Sequence, residues 1–246
     1  MSKLYTSLAK VYHEIYQTLF NYDDEFAFYE TYLQAHQIKS IVEIGCGTGN
    51  LAKRLVDANY EYLGIDLFQE MLDIATRNAP NASFTQGDVR NFSLPSTSDC
   101  FLITGRSISY LTTTYDILQS MDCIYKNLKP NGILMFDAID AAQLFLDFKE
   151  LKKDELIASF GENYYKRNSE SKPNLKTGWT WDWSSVYYQL DSNQTYQEIG
   201  QDFSTLRAFT KDEVRLLLNM SGFELLEILP KKSYAWDDNF FIAKKI

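Results

Sequence analysis

Apolar and polar positions alternate along this chain in a rhythm that changes from place to place. Short apolar runs stand at residues 40–44, 61–65, 82–85, 99–104 and 132–137. Between several of them the apolar residues recur every three or four positions, at Leu51/Leu55/Val56, Met71/Leu72/Ala75 and Ile117/Leu118/Met121/Ile124/Leu128. Strand-length runs separated by helix-period segments predict an α/β fold, a parallel sheet with helices on both faces. Pro130-Asn131-Gly132 stops the helix ending near Leu128 and turns the chain into the next strand. A capping box, Thr210-Lys211-Asp212-Glu213, opens a helix through Val214, Leu217 and Leu218 that Gly222 closes. Two last strands, 223–229 and 239–245, complete a seven-stranded, mostly parallel sheet.

Two regions leave this rhythm. Residues 1–37 read as helical and rich in tyrosine, with Tyr5, Tyr12, Tyr16, Tyr22, Tyr29 and Tyr32. Residues 148–206 begin with a charged stretch, Lys149 to Glu155, and continue with strand-like segments at 164–167, 178–190 and 195–200. Lys172-Pro173-Asn174 and Asp191-Ser192-Asn193 supply turns between them, so an antiparallel β insertion after the fifth strand is expected. Within it Trp179, Trp181 and Trp183 alternate with Thr180, Asp182 and Ser184. On a strand the three indoles share one face. They serve either to fasten the insertion to the rest of the chain or to roof a site by cation–π attraction.

Composition narrows the function. The 246 residues carry a net charge of −9, which disfavours a nucleic-acid backbone as partner. No apolar run reaches the length of a membrane span, and no secretory pattern opens the chain. Cys46, Cys100 and Cys123 lack C-x-x-C spacing and sit in apolar surroundings, which predicts reduced thiols, a cytoplasmic location and no zinc site. Asp137 and Asp140 follow the fifth strand without a third ligand at useful spacing, so no metal is expected.

The candidate chemistry starts where the run Ile41-Val42-Glu43-Ile44 enters Gly45-x-Gly47-x-Gly49. Glycines at a strand end before a helix let a ligand approach the main chain closely. The dinucleotide fingerprint is G-x-G-x-x-G. Here the spacing is shorter and an acidic residue precedes it, an arrangement hostile to a pyrophosphate and hospitable to a cation. Gly64-Ile65-Asp66 places a carboxylate 17 residues after Gly49. As an acceptor-only group it suits two ribose hydroxyls. Gly87-Asp88-Val89 follows the third strand and suits an adenine edge. The fourth strand ends at Thr104-Gly105-Arg106-Ser107 beside the glycine turn.

These four elements, in this order, resemble the class I S-adenosylmethionine (SAM)-dependent methyltransferases over about 40–145 and again over 207–245. Arg207-x-Phe209-Thr210-x-x-Glu213 and Ser221-Gly222-Phe223 are similar to that family's sixth-helix pattern. The resemblance implies a Rossmann-like fold and SAM as donor. It implies that Glu43 anchors the donor's amino group, that Gly45, Cys46, Gly47, Gly49 and Thr104 line its methionine part, and that Asp66 holds the ribose. Leu67, Met71 and Val89 would flank the adenine, with Asp88 on its amino group. The opening Tyr5-x-x-Leu8-Ala9-Lys10-Val11-Tyr12-His13-x-Ile15-Tyr16, and Ser107-Ile108-Ser109-Tyr110-Leu111, resemble a subgroup that methylates small amines, amino-sugar and glycine-type N-methyltransferases. That subgroup implies one domain over 1–246, with residues 1–37 as a helical lid and 148–206 as a substrate cap. His13 stands where the subgroup usually has aspartate.

The candidate catalytic residues are then Tyr12, Tyr16, His13, Arg106 and Tyr110. Tyr12 and Tyr16 are i, i+4 and share a helix face. An amine must be neutral to attack, so a weak base such as His13 helps. Arg106 either meets an anionic group on the substrate or pairs with a nearby acid such as Glu43 or Asp137. The leading expectation is methyl transfer to a small-molecule acceptor at nitrogen. O-methylation of a carboxylate or hydroxyl, a SAM-binding regulatory module without catalysis, and a nicotinamide dehydrogenase are the alternatives.

Overall fold

The computed structural model describes residues 2–233 and 236–246. Among these residues seven strands form one sheet and four form another. In the large sheet β1 (Ser40–Ile44), β2 (Glu61–Asp66), β3 (Ser83–Gln86), β4 (Ser98–Ile103) and β5 (Leu128–Ile139) run parallel. The chain then adds β10 (Phe223–Lys231) and β11 (Asp238–Lys245), with β11 antiparallel to both β5 and β10. The order is β10-β11-β5-β4-β1-β2-β3, a Rossmann-like arrangement. The strand order reverses between β1 and β4, and ligands of such sheets sit at the carboxyl ends of the strands there.

Parallel strands covered on both faces must be apolar on both. Val42, Ile44, Phe101, Ile103, Leu134 and Phe136 face one layer, packed on α5 (Thr114–Asn127) and α7 (Lys211–Met220). Their neighbours Ile41, Cys100, Leu102, Ile133 and Met135 face the other, packed on α2 (Tyr22–Ala35) and α3 (Asn50–Asp57). Helix starts follow local chemistry. Asn21 caps α2 by accepting from the Asp23 and Asp24 N–H groups, and Thr210 caps α7 through Glu213 N–H. The turn expected at Pro130-Asn131-Gly132 lies within the long β5, with Asn131 at φ 61°. α5 stops just before it, at Asn127.

After β5 and the short α6 (Ala141–Asp147), the second sheet runs β6 (Lys152–Phe160), β7 (Asn163–Pro173), β8 (Thr180–Leu190) and β9 (Tyr196–Arg207), all antiparallel. The insertion is where the sequence placed it, with one strand more than its pattern suggested. The charged stretch at Lys152–Glu155 opens β6, because Leu156 and Ala158 turn inward while their neighbours face solvent. α1 (Ala9–Leu19) seals this sheet. Leu4, Leu8 and Ile15 pack against Ala158, Tyr165 and Tyr187. Glu14 is buried and accepts from the Tyr165 hydroxyl at 2.7 Å and from Asn163 at 2.8 Å. Asp202 accepts from the Lys3 and Leu4 N–H groups, which ties the first residues down. No helix among the described residues is long and apolar enough to cross a membrane.

Candidate active site

The carboxyl ends of β1, β4 and β5, the face of α1 and the inner face of the second sheet enclose a cavity of about 510 Å³. Tyr12, Tyr16, Glu43, Gly45, Cys46, Gly47, Thr104, Arg106 and Tyr110 all line it. Nine of the positions singled out by pattern, from three separate segments, therefore meet at one place.

The glycine turn makes one wall from backbone. Gly45 has φ 69°, a conformation that costs an L-residue about 1–2 kcal/mol. A Cβ there would also overlap the Ser107 side chain. Gly49, at φ 75°, sits at the start of α3, where a Cβ would lie 3.0 Å from the Ala75 backbone. Behind the turn, Asp66 accepts from Gly47 N–H at 2.9 Å and from Phe68 N–H at 3.0 Å. Burial raises its carboxyl above the usual range, while those backbone donors pull it back.

Glu43 is the chemical centre of this wall. It is 2% exposed, and it accepts from the Tyr62 hydroxyl at 2.5 Å and the Thr104 hydroxyl at 2.8 Å. Among the described residues no lysine or arginine pairs with it. Burial pushes its carboxyl up to about 7, against the pull of the two hydroxyls. A buried carboxylate served only by neutral donors favours an incoming cation.

The floor is an ionic network. Asp137 accepts from Arg106 N–H at 2.7 Å, the Tyr29 hydroxyl at 3.0 Å and Lys231 Nζ at 3.1 Å. Lys231 also reaches Glu25 at 2.8 Å. Burial works against the Lys231 ammonium, but Asp137 and Glu25 hold its pKa above the ordinary value. The Arg106 guanidinium donates to Asp238 at 2.9 and 3.0 Å and to the Trp236 carbonyl at 2.6 Å. Arg106 thus pairs with an acid, as one of its two readings had it. The partner is Asp238, while Asp137 takes the backbone N–H. In this floor and the adjoining turn, Glu25, Asp137, Asp238 and Glu43 set four carboxyls against the two bases Arg106 and Lys231.

On the opposite side Tyr12 and Tyr16 stack at 4.2 Å, and Tyr5 meets Tyr12 edge-on at 5.3 Å. The Tyr5 and Tyr110 hydroxyls hydrogen-bond to each other. His13 is on a different face of α1 and does not line the cavity. Its Nδ1 is 2.9 Å from Thr48 Oγ1, and beside it Gln17 donates to Asn50 at 2.5 Å. Burial lowers the His13 pKa, which favours the neutral ring. His13 therefore pins α1 to the glycine turn instead of facing the place where an acceptor would sit.

The tryptophans divide. Trp181 is fully buried against Phe145, Phe148 and Trp236, and Trp179 packs on Phe145 at 5.4 Å. Trp183 alone of the three lines the cavity, with Arg167 over its ring at 5.6 Å. Gly49, Asp66, Leu67, Met71, Asp88 and Val89 lie outside the cavity lining. Leu67 is 49% exposed, and Met71 is buried beneath the glycine turn. Asp88 is gripped by Arg90 at 2.6 Å, which holds its carboxyl below the usual range. Val89 packs at the edge of the core. Sequence reasoning missed Tyr62, Lys231, Asp238, Glu25 and Arg167. A lysine closing the strand run at Pro230-Lys231 was the one local sign.

Residues 41–132 match a family described as a methyltransferase domain. The Bacillus subtilis (strain 168) protein YqeM, provisionally named a methyltransferase, is 28% identical over 192 residues, 75% of this chain and 73% of its own. A dTDP-4-amino-2,3,4,6-tetradeoxy-D-glucose N,N-dimethyltransferase of Saccharopolyspora spinosa is 24% identical over 194 residues, 79% of this chain and 74% of that enzyme. In fold the chain is similar to SAM-bound CalS10, an amino pentose methyltransferase from Micromonospora echinaspora. That match has a TM-score of 0.75 at 19% identity, over 96% of this chain and 97% of the other.

Proposed function

We propose, on the premise that this chain is a class I SAM-dependent methyltransferase, that its acceptor is a small molecule methylated at an amine nitrogen. The observation that carries the proposal is the carboxyl-rich floor beside the glycine turn, facing the stacked tyrosines across the cavity. The sugar N,N-dimethyltransferase and the amino pentose methyltransferase among its relatives support the same reading.

The residues fit the donor. Glu43, buried and met only by hydroxyls, suits its ammonium; Gly45, Cys46, Gly47, Gly49 and Thr104 would surround its amino-acid part. Asp66 would hold the ribose, and Leu67, Met71, Asp88 and Val89 the adenine. When bound, the sulfonium supplies a methyl group already activated for in-line displacement.

The protein's task is then to place a nitrogen lone pair and exclude water. The carboxyls of the floor attract a cationic amine, and Tyr12, Tyr16 and Tyr110 orient it once it is neutral. Residues 1–37 act as the lid and 148–206 as the cap of one domain. Arg106, which would favour a carboxylate or hydroxyl acceptor, is held by Asp238, so O-methylation gains nothing from it.

Turnover of methyl-labelled SAM against amino sugars, amino acids and non-amine carboxylates tests the proposal. Label on nitrogen is expected. Label confined to oxygen would overturn the reading. Tyr16→Phe is expected to lower kcat about tenfold with S-adenosylhomocysteine affinity within twofold, a loss in the range of a positioned hydroxyl. Unchanged kinetics would remove Tyr16 from the site.

A further inference from the structure

The residue opposite Glu43 in the β1–β2 ladder is Gly64, and no larger residue fits there. A Cβ would stand 2.7 Å from the Phe84 ring and 2.8 Å from Cys46 Sγ. Every second residue of a strand shares a face. The side chain before Gly64 on this face of β2 is therefore Tyr62, which is paired with Ile41 in the register. It is 9% exposed, and its ring meets Phe84 edge-on at 6.1 Å in the apolar layer beneath α2 and α3. For that packing a phenylalanine would serve as well. The hydroxyl is put to a separate use. It reaches diagonally across the ladder and donates to Glu43 Oε2 at 2.5 Å.

Thr104, just past β4, donates to the other oxygen, Oε1, at 2.8 Å. Each oxygen of Glu43 thus has one neutral donor. An ionised carboxyl offers about four lone-pair sites, so two are left over. The kind of donor matters. A lysine or arginine here would neutralise the carboxylate, whereas two hydroxyls orient it and leave its charge whole. The neighbouring bases are paired elsewhere, Arg106 with Asp238 and Lys231 with Glu25 and Asp137. The other titratable groups beside Glu43 give its ionised form no help. Asp66 at the end of β2 and Asp137 on β5 oppose it by like charge. Burial pushes the Cys46 thiol up, and the Tyr22 hydroxyl on α2 up to about 12, so both stay neutral near pH 7. The hydroxyls of Tyr62 and Thr104 are what pull the other way. Tyr62 does not line the cavity, so whatever it does for a ligand it does through Glu43.

We infer that Tyr62 is a positioning residue for the donor: its hydroxyl and that of Thr104 hold the Glu43 carboxyl by one oxygen each and leave two lone pairs for the donor's ammonium. This rests on the Glu43 seat proposed above. Hydrogen bonds to a carboxylate favour its ionised form, so Tyr62 sets the pH at which the seat becomes ready for a cation.

The test follows Glu43 and the donor product side by side. In unliganded protein with carbon-13 at its glutamate carboxyls, the signal absent from Glu43→Gln gives the Glu43 midpoint by NMR. Wild type should titrate near pH 7. Tyr62→Phe should raise the midpoint by about one pH unit, and Thr104→Val should move it the same way. Calorimetric affinity for S-adenosylhomocysteine should follow, with Tyr62→Phe about tenfold weaker than wild type near pH 6.5 and within about twofold near pH 9. A purely structural tyrosine would lower affinity equally at every pH. If Tyr62→Phe does not fold, 3-fluorotyrosine placed at position 62 alone keeps the ring and the hydroxyl. Its more acidic O–H donates more strongly and should lower the midpoint. A Glu43 midpoint unmoved in the folded variant overturns the role of Tyr62 and leaves the seat standing. A wild-type affinity indifferent to pH overturns the seat at Glu43 itself, even where the midpoints move.

Discussion

The two long walls of the cavity are made of different material. On the core side the surface is built on backbone, Gly45 and Gly47 bent through positive φ and braced from behind by Asp66, with the Glu43 carboxyl at its centre. On the cap side it is side chains, set by strand register on an antiparallel sheet and sealed by α1. A backbone wall admits almost no substitution, and it suits a ligand that does not change. A side-chain wall can be rewritten residue by residue while the sheet beneath it persists, and it suits the partner that differs between enzymes. The division predicts that changes in the first wall strike donor binding whatever the acceptor, whereas changes in the second strike the acceptor and leave the donor alone.

The largest effect expected separates two residues within the cap itself. Trp181 fastens the cap and Trp183 faces the cavity, although both project from the same face of β8. Trp181→Ala should cost about 3–5 kcal/mol in denaturant unfolding, the usual result of emptying a buried aromatic site. Trp183→Ala should cost less than about 1 kcal/mol while raising the acceptor KM several-fold. Equal losses of stability would erase the distinction between fastening and lining.

Next is the glycine turn. Gly45→Ala must carry a Cβ at φ 69° into Ser107, so S-adenosylhomocysteine affinity should fall about 100-fold, near 3 kcal/mol. Gly161, at φ 58° in the β6–β7 turn, has nothing within 4 Å of an added Cβ. Gly161→Ala should therefore leave that affinity within twofold. Comparable affinities in the two variants would show that the turn is merely strained and does not form the donor's wall.

A smaller, pH-dependent effect belongs to Glu43. Its carboxyl, raised to about 7 by burial, must ionise to receive an ammonium. Donor affinity should climb about tenfold between pH 6 and 8 and level off above, a dependence lost in Glu43→Gln. In the unliganded protein the sign reverses. The folded state holds a proton that the unfolded state releases at lower pH, so this contribution to stability falls as pH rises from about 4.5 through 7. Thermal melts of wild type and Glu43→Gln over that window check it. The smallest effect concerns His13, which joins α1 to Thr48. His13→Ala should weaken donor binding no more than about fivefold, the worth of one hydrogen bond, and leave the pH dependence of turnover unchanged. A lost limb in that profile would return His13 to the chemistry.

The same contrast of materials explains what could be read from the sequence. The sheet was legible because strand–helix alternation is local. The glycine turn was legible as one wall of the cavity because Gly45 and Gly47, with Asp66 behind them, follow a spacing along one βαβ unit. The insertion was legible as antiparallel strands, but β6 hid behind its charged outer residues. The wall from the second sheet and the floor were not legible. Lys231 meets Asp137 and Glu25 across 94 and 206 residues of chain, and no local pattern encodes such a meeting. Arg167 lines the cavity only through the register of β7 with its neighbours, which turn signals do not fix. His13 shows the opposite error. It stood beside Tyr12 in sequence, but one step along a helix turns a side chain by about 100° and points it elsewhere.

The most direct measurement is a crystal structure of the protein with S-adenosylhomocysteine bound. The account predicts the ligand's ammonium on the Glu43 side of the glycine turn, its sulfur facing Tyr12 and Tyr16, and open space from the sulfur toward Trp183 and Arg167. A ligand whose sulfur faces away from the tyrosines, or whose ammonium lies on the cap wall, would contradict it.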